Sequence, residues 1–174
     1  MRIALVIPHK GFRDETVVAV RDFLQKWHIE PVIVSPDKGT MCHGYHGAVV
    51  HQALNVDMVR TVDFDGIFLA DGPGIDQYQM YDYRPLLDIV RHFYEGGKIV
   101  AGVGNAIKIL ARANIITDLK IAAPKDEESR RLATLYRGVL TKNPIETEKT
   151  VITLGKPEAL PQFLTGLLHK LGVE

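Results

Sequence analysis

The stretch Lys98–Ile116, KIVAGVGNAIKILARANII, decides the fold. Its first half, KIVAGVG, is a short, continuous apolar run, the pattern of a strand buried on both faces. Its second half, NAIKILARANI, carries apolar residues at helical spacing. A strand that turns sharply into a helix is the repeating step of α/β architecture, and in α/β enzymes such a turn is where a nucleophile stands. Here the turn offers Gly104 and Asn105. Glycine at such an elbow relieves the backbone strain that a side chain would suffer. The residues alone fit an ordinary βα turn as well, because short glycine patterns are weak signals.

Working outward, RIALVI (2–7), EPVIVS (30–35) and DGIFLA (65–70) read as three more core strands. DETVVAVRDFLQKW (14–27) is an amphipathic helix, with Asp14 and Glu15 in the first turn, where acids suit the helix dipole. DGPG (Asp71–Gly74) is a tight turn, and RPLLDIVRHFYEGG is a helix begun near Pro85 and stopped by Gly96–Gly97. Residues 36–64 read as a β-hairpin or ribbon outside the main sheet. LKIAA is a short strand, DEESRRLATLY a polar helix, YRGVLTKNPIETEKTVITLG two or three short strands, and PEALPQFLTGLLHKLG a closing helix. The alternation predicts a single α/β domain over residues 1–174, with a mostly parallel sheet covered on both sides. Ligands of such sheets bind beyond the carboxyl ends of the strands. That singles out the turns after Ile7, at Asp71–Gly74 and at Gly104–Asn105.

Composition narrows the function. Lys plus Arg and Asp plus Glu both number 21, so the formal net charge is zero, against the basic excess of a nucleic-acid binder. Zero net charge does little to resist self-association, so a homodimer or higher homo-oligomer is expected. The single cysteine, Cys42, cannot form an internal disulfide. The N-terminus lacks the features of a signal peptide, and no window holds the 18 apolar residues of a membrane helix. A cytoplasmic, membrane-free protein is the expectation.

Two clusters remain. CHGYHGAVVH brings Cys42, His43, His46 and His51 close in sequence, enough ligands for zinc in principle. The spacing matches no metal motif, however, and strand alternation sends Cys42 and His43 to opposite faces. A ribbon with scattered histidines is the better reading, so no metal or cofactor is expected. DQYQMYDYRP supplies Tyr78, Tyr81 and Tyr83, which can line a pocket or an interface, or simply a surface loop.

Four blocks in order resemble the ThiJ/PfpI (DJ-one) superfamily, a branch of the class I glutamine amidotransferase-like fold. They are ALVIPHKGFRDETVVAVRDFL, DFDGIFLADGPGI, LLDIVRHFYEGGKIVAGVGNAIKILARANII and VITLGKPEALPQFLTGLLHKL, and together they span essentially the whole chain. The resemblance implies a flavodoxin-like, three-layer sandwich with a small β-hairpin extension. It also implies an active site made of a Cys at the elbow, a His directly after it, a Glu from the first helix and often a His before a later Pro. Carried over, the Cys position is Gly104, the His position Asn105, the Glu position Glu15, and the residue before Pro124 is Ala123. A backbone donor of the oxyanion hole maps near Gly74. Only the Glu is retained.

Without sulfur at Gly104 there is no thiolate, and without imidazole at Asn105 there is no base. Loss of a nucleophile costs a factor on the order of 10⁶ in turnover. The expectation is a catalytically degenerate member that binds a small molecule or regulates. Its ligand would sit near Glu15, Gly74, Gly104 and Asn105, in a corner suited to an anion. The alternative is a hydrolase or lyase, protease- or glyoxalase-like, that uses Glu15 with Cys42 or a histidine.

Overall fold

The computed structural model describes residues 1–173. In chain order its strands are β1 (Arg2–Val6), β2 (Lys10–Phe12), β3 (Glu30–Ser35), β4 (Met41–Gly44), β5 (Val49–His51), β6 (Leu54–Asn55), β7 (Gly66–Leu69), β8 (Ile99–Val103), β9 (Lys120–Ile121), β10 (Val139–Leu140), β11 (Ile145–Glu148) and β12 (Val151–Leu154). Its helices are α1 (Asp14–Lys26), α2 (Pro73–Gln77), α3 (Arg84–Glu95), α4 (Ile107–Arg112), α5 (Glu127–Leu135) and α6 (Leu160–Leu171). Among the described residues the main sheet runs β11-β12-β8-β7-β1-β3-β6. Every pairing in it is parallel except the edge pair β11–β12.

Strand β1 explains why the sheet is a middle layer. Leu5 lies opposite Ile33 on one side and Phe68 on the other. Successive side chains leave a strand on opposite faces. Ile3 and Leu5 join a core with Val17, Val20 and Leu24 of α1 and Phe163 and Leu167 of α6. Ala4 and Val6 join the other core, with Leu86, Val90 and Phe93 of α3 and Ile109 and Leu110 of α4. Two apolar faces on each central strand demand helices on both sides, which is the flavodoxin-like, three-layer sandwich. No helix among the described residues is long and apolar enough to cross a membrane.

Several segments depart from the sequence expectation. DGPG is more than a turn, since Pro73 opens the short helix α2. LKIAA does not join the main sheet; β9 pairs with β10 in a separate two-stranded parallel sheet. The ribbon is three-stranded, because Lys10–Phe12 adds β2 alongside β4. That strand is too short to show a period of two, and its exposed Lys10 and half-buried Gly11 hide it.

Asp14 stands in the first turn of α1, as expected, and also serves the ribbon. Helix α1 begins after Arg13 without a side-chain cap. The Asp14 carboxylate instead accepts the N–H groups of His46 at 2.8 Å and Ala48 at 2.7 Å, so the β4–β5 turn closes around it. A Cβ at Gly44 would strike that carboxylate, which is why the strand ends in glycine. Partial burial works against the charge, but the His46 and Ala48 N–H groups outweigh it and hold the Asp14 pKa below the ordinary value. A depressed carboxylate pKa adds stability above the unfolded-state value, and that stability is lost as pH falls through the folded-state value. Asp14→Ala therefore lowers unfolding stability by about 2 kcal/mol at pH 7 in urea titrations. The gap between wild type and Asp14→Asn closes as pH drops below about 4.

Candidate functional site

The segments that follow β1, β7 and β8 meet those around Pro124–Asp126 and Leu154–Leu160 and line a cleft of ≈390 Å³. Its polar lining comes from Arg13 and Thr16 at the start of α1, Asp71 and Asp76 after β7, Asn105 after β8, and Asp126 before α5. The sheet crosses over here, with β3 on one side of β1 and β7 on the other, the switch point at which open α/β sheets bind ligands.

Gly104 forms the elbow as expected. Its φ of +54° lies in the left-handed region, where a side chain costs roughly 1–3 kcal/mol. The space above it is not vacant. A Cβ built on Gly104 would lie 2.7 Å from Asp71 Oδ2 and 2.9 Å from Asp71 Cβ. The Asp71 carboxyl thus occupies the place a nucleophilic side chain would take. The corner expected to accept an anion holds an acid instead.

Asp71 is a largely buried acid in the wall of the cleft. Burial pushes its pKa up, while the Thr16 hydroxyl and the Arg13 charge pull it partly back. Arg13 Nη1 stands 3.7 Å from Asp71 Oδ2, and the Arg13 N–H donates to the Asp71 carbonyl at 2.9 Å. The other carboxyl oxygen, Oδ1, is buried and has no hydrogen-bond partner among the described residues. Burial makes the charged form of this carboxyl costlier than that of a surface aspartate.

Asn105 carries no imidazole, but its amide has a definite task. Its Oδ1 accepts the Gly72 N–H at 3.1 Å, and its Nδ2 donates to the Gly72 carbonyl at 2.8 Å. The amide thereby ties the turn after β8 to the turn after β7. Gly72 must be glycine: its φ is +144°, and a Cβ there would lie 2.7 Å from the Arg13 nitrogen. Beside this clasp the buried Lys108 ammonium pairs with Asp76 and faces the Tyr81 ring at 5.3 Å.

The other anticipated residues fall elsewhere. Glu15 does not line the cleft; it is exposed and pairs with Arg13 at 3.1 Å. The α1 residue that faces the elbow is its neighbour Thr16, 2% exposed. The burial of Thr16, Val17, Val20 and Leu24 sets the inward face of the helix, and Glu15 stands off it. Gly74 is buried against Pro8 and also lies off the cleft, where Gly72 and Pro73 take its place. Ala123 packs its backbone against Gly155, leaving Pro124 at the wall.

Cys42 is fully buried and its thiol meets Gln52 Oε1 at 3.6 Å, whereas His43 and His46 are exposed. The Cys42–His43–His46 set is therefore not assembled, and no group of three or more His, Cys, Asp or Glu among the described residues could hold a metal. Asp71 escaped the sequence reading although a signal existed. It is an acid placed directly beyond the carboxyl end of a fully buried strand.

The packing of Asp71 on Gly104 makes a double-mutant prediction. Gly104→Cys alone destabilises the protein by about 2–4 kcal/mol, through left-handed strain and the clash with Asp71. In an Asp71→Gly background the same change costs less, with a coupling of about 1–3 kcal/mol measured by chemical denaturation. Additive effects would mean that the two residues do not share the space.

Comparison with known proteins agrees with this architecture. The profile of the DJ-1/PfpI family matches residues 1–170. An uncharacterized protein of Methanocaldococcus jannaschii is 27% identical over 155 residues, covering 86% of this chain and 75% of that protein. The ThiJ/PfpI domain protein from Brachyspira murdochii superposes with a TM-score of 0.91 at 19% identity, covering 98% of this chain and 96% of that one. Drosophila melanogaster DJ-1beta superposes with a TM-score of 0.86 at 15% identity, covering 99% and 91%. At those identities the two structures speak for the fold. With the profile spanning nearly all of its length, the chain belongs to the DJ-1/PfpI family.

Proposed function

We propose that this protein is a member without nucleophilic chemistry, which binds a small molecule in the elbow cleft through the Asp71 carboxyl. The observation that carries this reading is the filling of the elbow. The group above Gly104 is an acid with one buried, unpartnered oxygen, in a concave site at the sheet's switch point. An unpartnered buried acceptor favours a ligand that brings hydrogen-bond donors, such as hydroxyl or amine groups, since leaving it unpaired is costly.

The hydrolase or lyase alternative finds less support. Glu15 is committed to Arg13 outside the cleft, and Cys42 is packed in the core. Burial pushes the Cys42 thiol pKa to about 11, with Ser35 lowering it and the Asp37 charge raising it. At pH 7.5 the thiolate is then roughly one part in a few thousand, too little to act as a nucleophile.

Two measurements test the reading. Folded protein at pH 7.5 resists alkylation by iodoacetamide and reacts only once urea has unfolded it; rapid labelling of the native state would restore Cys42 as a candidate. In thermal-shift assays against a panel of small polyols, amines and hydroxy acids, a donor-bearing compound raises the midpoint of the wild type. At 100 times its Kd the shift corresponds to about 2.7 kcal/mol. Asp71→Ala abolishes that shift and Glu15→Gln retains it. A ligand that needs Glu15 and ignores Asp71 would overturn the assignment.

A further inference from the structure

A second concavity lies on the far side of β1 from the elbow cleft. It occupies ≈180 Å³ between the residues after β1, those after β3 and the segment joining α2 to α3. Its lining is chemically one-sided. His9, Tyr78 and Tyr83 supply three aromatic rings, Pro8, Pro36 and Met80 apolar surface, and Asp37 a single carboxylate. No lysine or arginine lines it among the described residues. The His9 and Tyr78 rings meet at 4.3 Å between centroids, tilted by 46°, and form an aromatic corner. The Asp37 carboxylate is held at the rim by an Asx turn in which it accepts the Gly39 N–H at 2.9 Å. No ion pair neutralises it among the described residues.

We propose that this pocket binds a small organic cation of the methylated-ammonium class, its alkyl shell against the His9, Tyr78 and Tyr83 rings and its charge balanced by Asp37. The chemistry excludes the alternatives in turn. An anion would meet a carboxylate and neither lysine nor arginine. A hard metal ion needs about six oxygen ligands, and this site offers one carboxylate. A neutral apolar guest would strip water from Asp37 without replacing it. A methylated ammonium satisfies both halves of the lining, because aromatic faces attract cations and its methyl groups lose little on leaving water. The volume suits a headgroup and falls below the 300–1,000 Å³ usual for drug-sized ligands. Burial and the Asp57 charge raise the Tyr83 pKa.

The probe is tetramethylammonium chloride, followed by NMR of the tyrosine ring protons, with sodium chloride at equal ionic strength and tert-butanol as controls. Saturable shifts confined to the Tyr78 and Tyr83 resonances, at millimolar concentrations, are expected. Tyr78→Leu weakens the affinity roughly three- to tenfold, the range for loss of one cation–ring contact. Asp37→Asn weakens it roughly two- to fivefold, as for an exposed ion pair. Both positions are exposed, so both variants keep the wild-type melting curve. The proposal is overturned if tert-butanol or sodium chloride gives the same shifts. It is also overturned if no saturation occurs, or if both variants bind as wild type does.

Discussion

The left-handed backbone at Gly104 and the Asp71 carboxyl stacked over it form a single steric unit, and the rest of the site is arranged around that unit. A side chain at Gly104 would need Asp71 to leave, and Asp71 needs the absence of a side chain at Gly104. The turn after β8 must be sharp in either case, because α4 has to start directly above the sheet to bury Ile107, Ile109 and Leu110. Glycine meets that geometric demand without supplying chemistry. The acid from the neighbouring strand end then fills the vacancy at the cost of its own desolvation, which appears as its raised pKa.

The parallel sheet makes this possible. With β7, β1 and β3 side by side, their carboxyl ends line up, and everything that follows them gathers on one edge. Arg13 and Thr16 follow β1, Asp71 follows β7, and Gly104 and Asn105 follow β8. The strand order also divides that edge into two compartments. The elbow cleft lies on the β7 and β8 side of β1, whereas the aromatic pocket lies toward β3. One is acidic and hydrogen-bonding, the other aromatic with one carboxylate, so the two suit different guests.

The amino-acid sequence revealed the layers more readily than the site. Apolar runs such as RIALVI and KIVAGVG mark doubly buried strands whatever the tertiary details, since only a sandwiched strand needs apolar residues on both faces. The elbow at Gly104 was legible for the same local reason. Glu15 and Thr16 were not separable without a helix phase, because one residue of displacement turns a helical side chain by about 100°. Family resemblance drew attention to the acid, while burial favours the threonine. Asp14 and Asp71 were obscured for another reason. Their partners lie 32 or more residues away along the chain, at His46, Ala48 and Gly104, and no local pattern encodes such distant contacts.

The geometry of the elbow has a physical support that is independent of any side chain at position 104. Lys108 is nearly buried, its side chain only 3% exposed, and a buried ammonium is tolerated only with a partner. That partner is Asp76 of α2, which Asn105 Nδ2 also approaches at 3.4 Å while its amide clasps Gly72. Helix α4, the β8 turn and the β7 turn are therefore held together by a charged and amide network that does not include the residue at the elbow itself. Removing the Asp76 carboxylate would leave the buried Lys108 ammonium without its partner, and removing the Asn105 amide would untie the two turns. The turns on either side of the cleft are thus fixed by contacts that do not depend on the side chain at position 104.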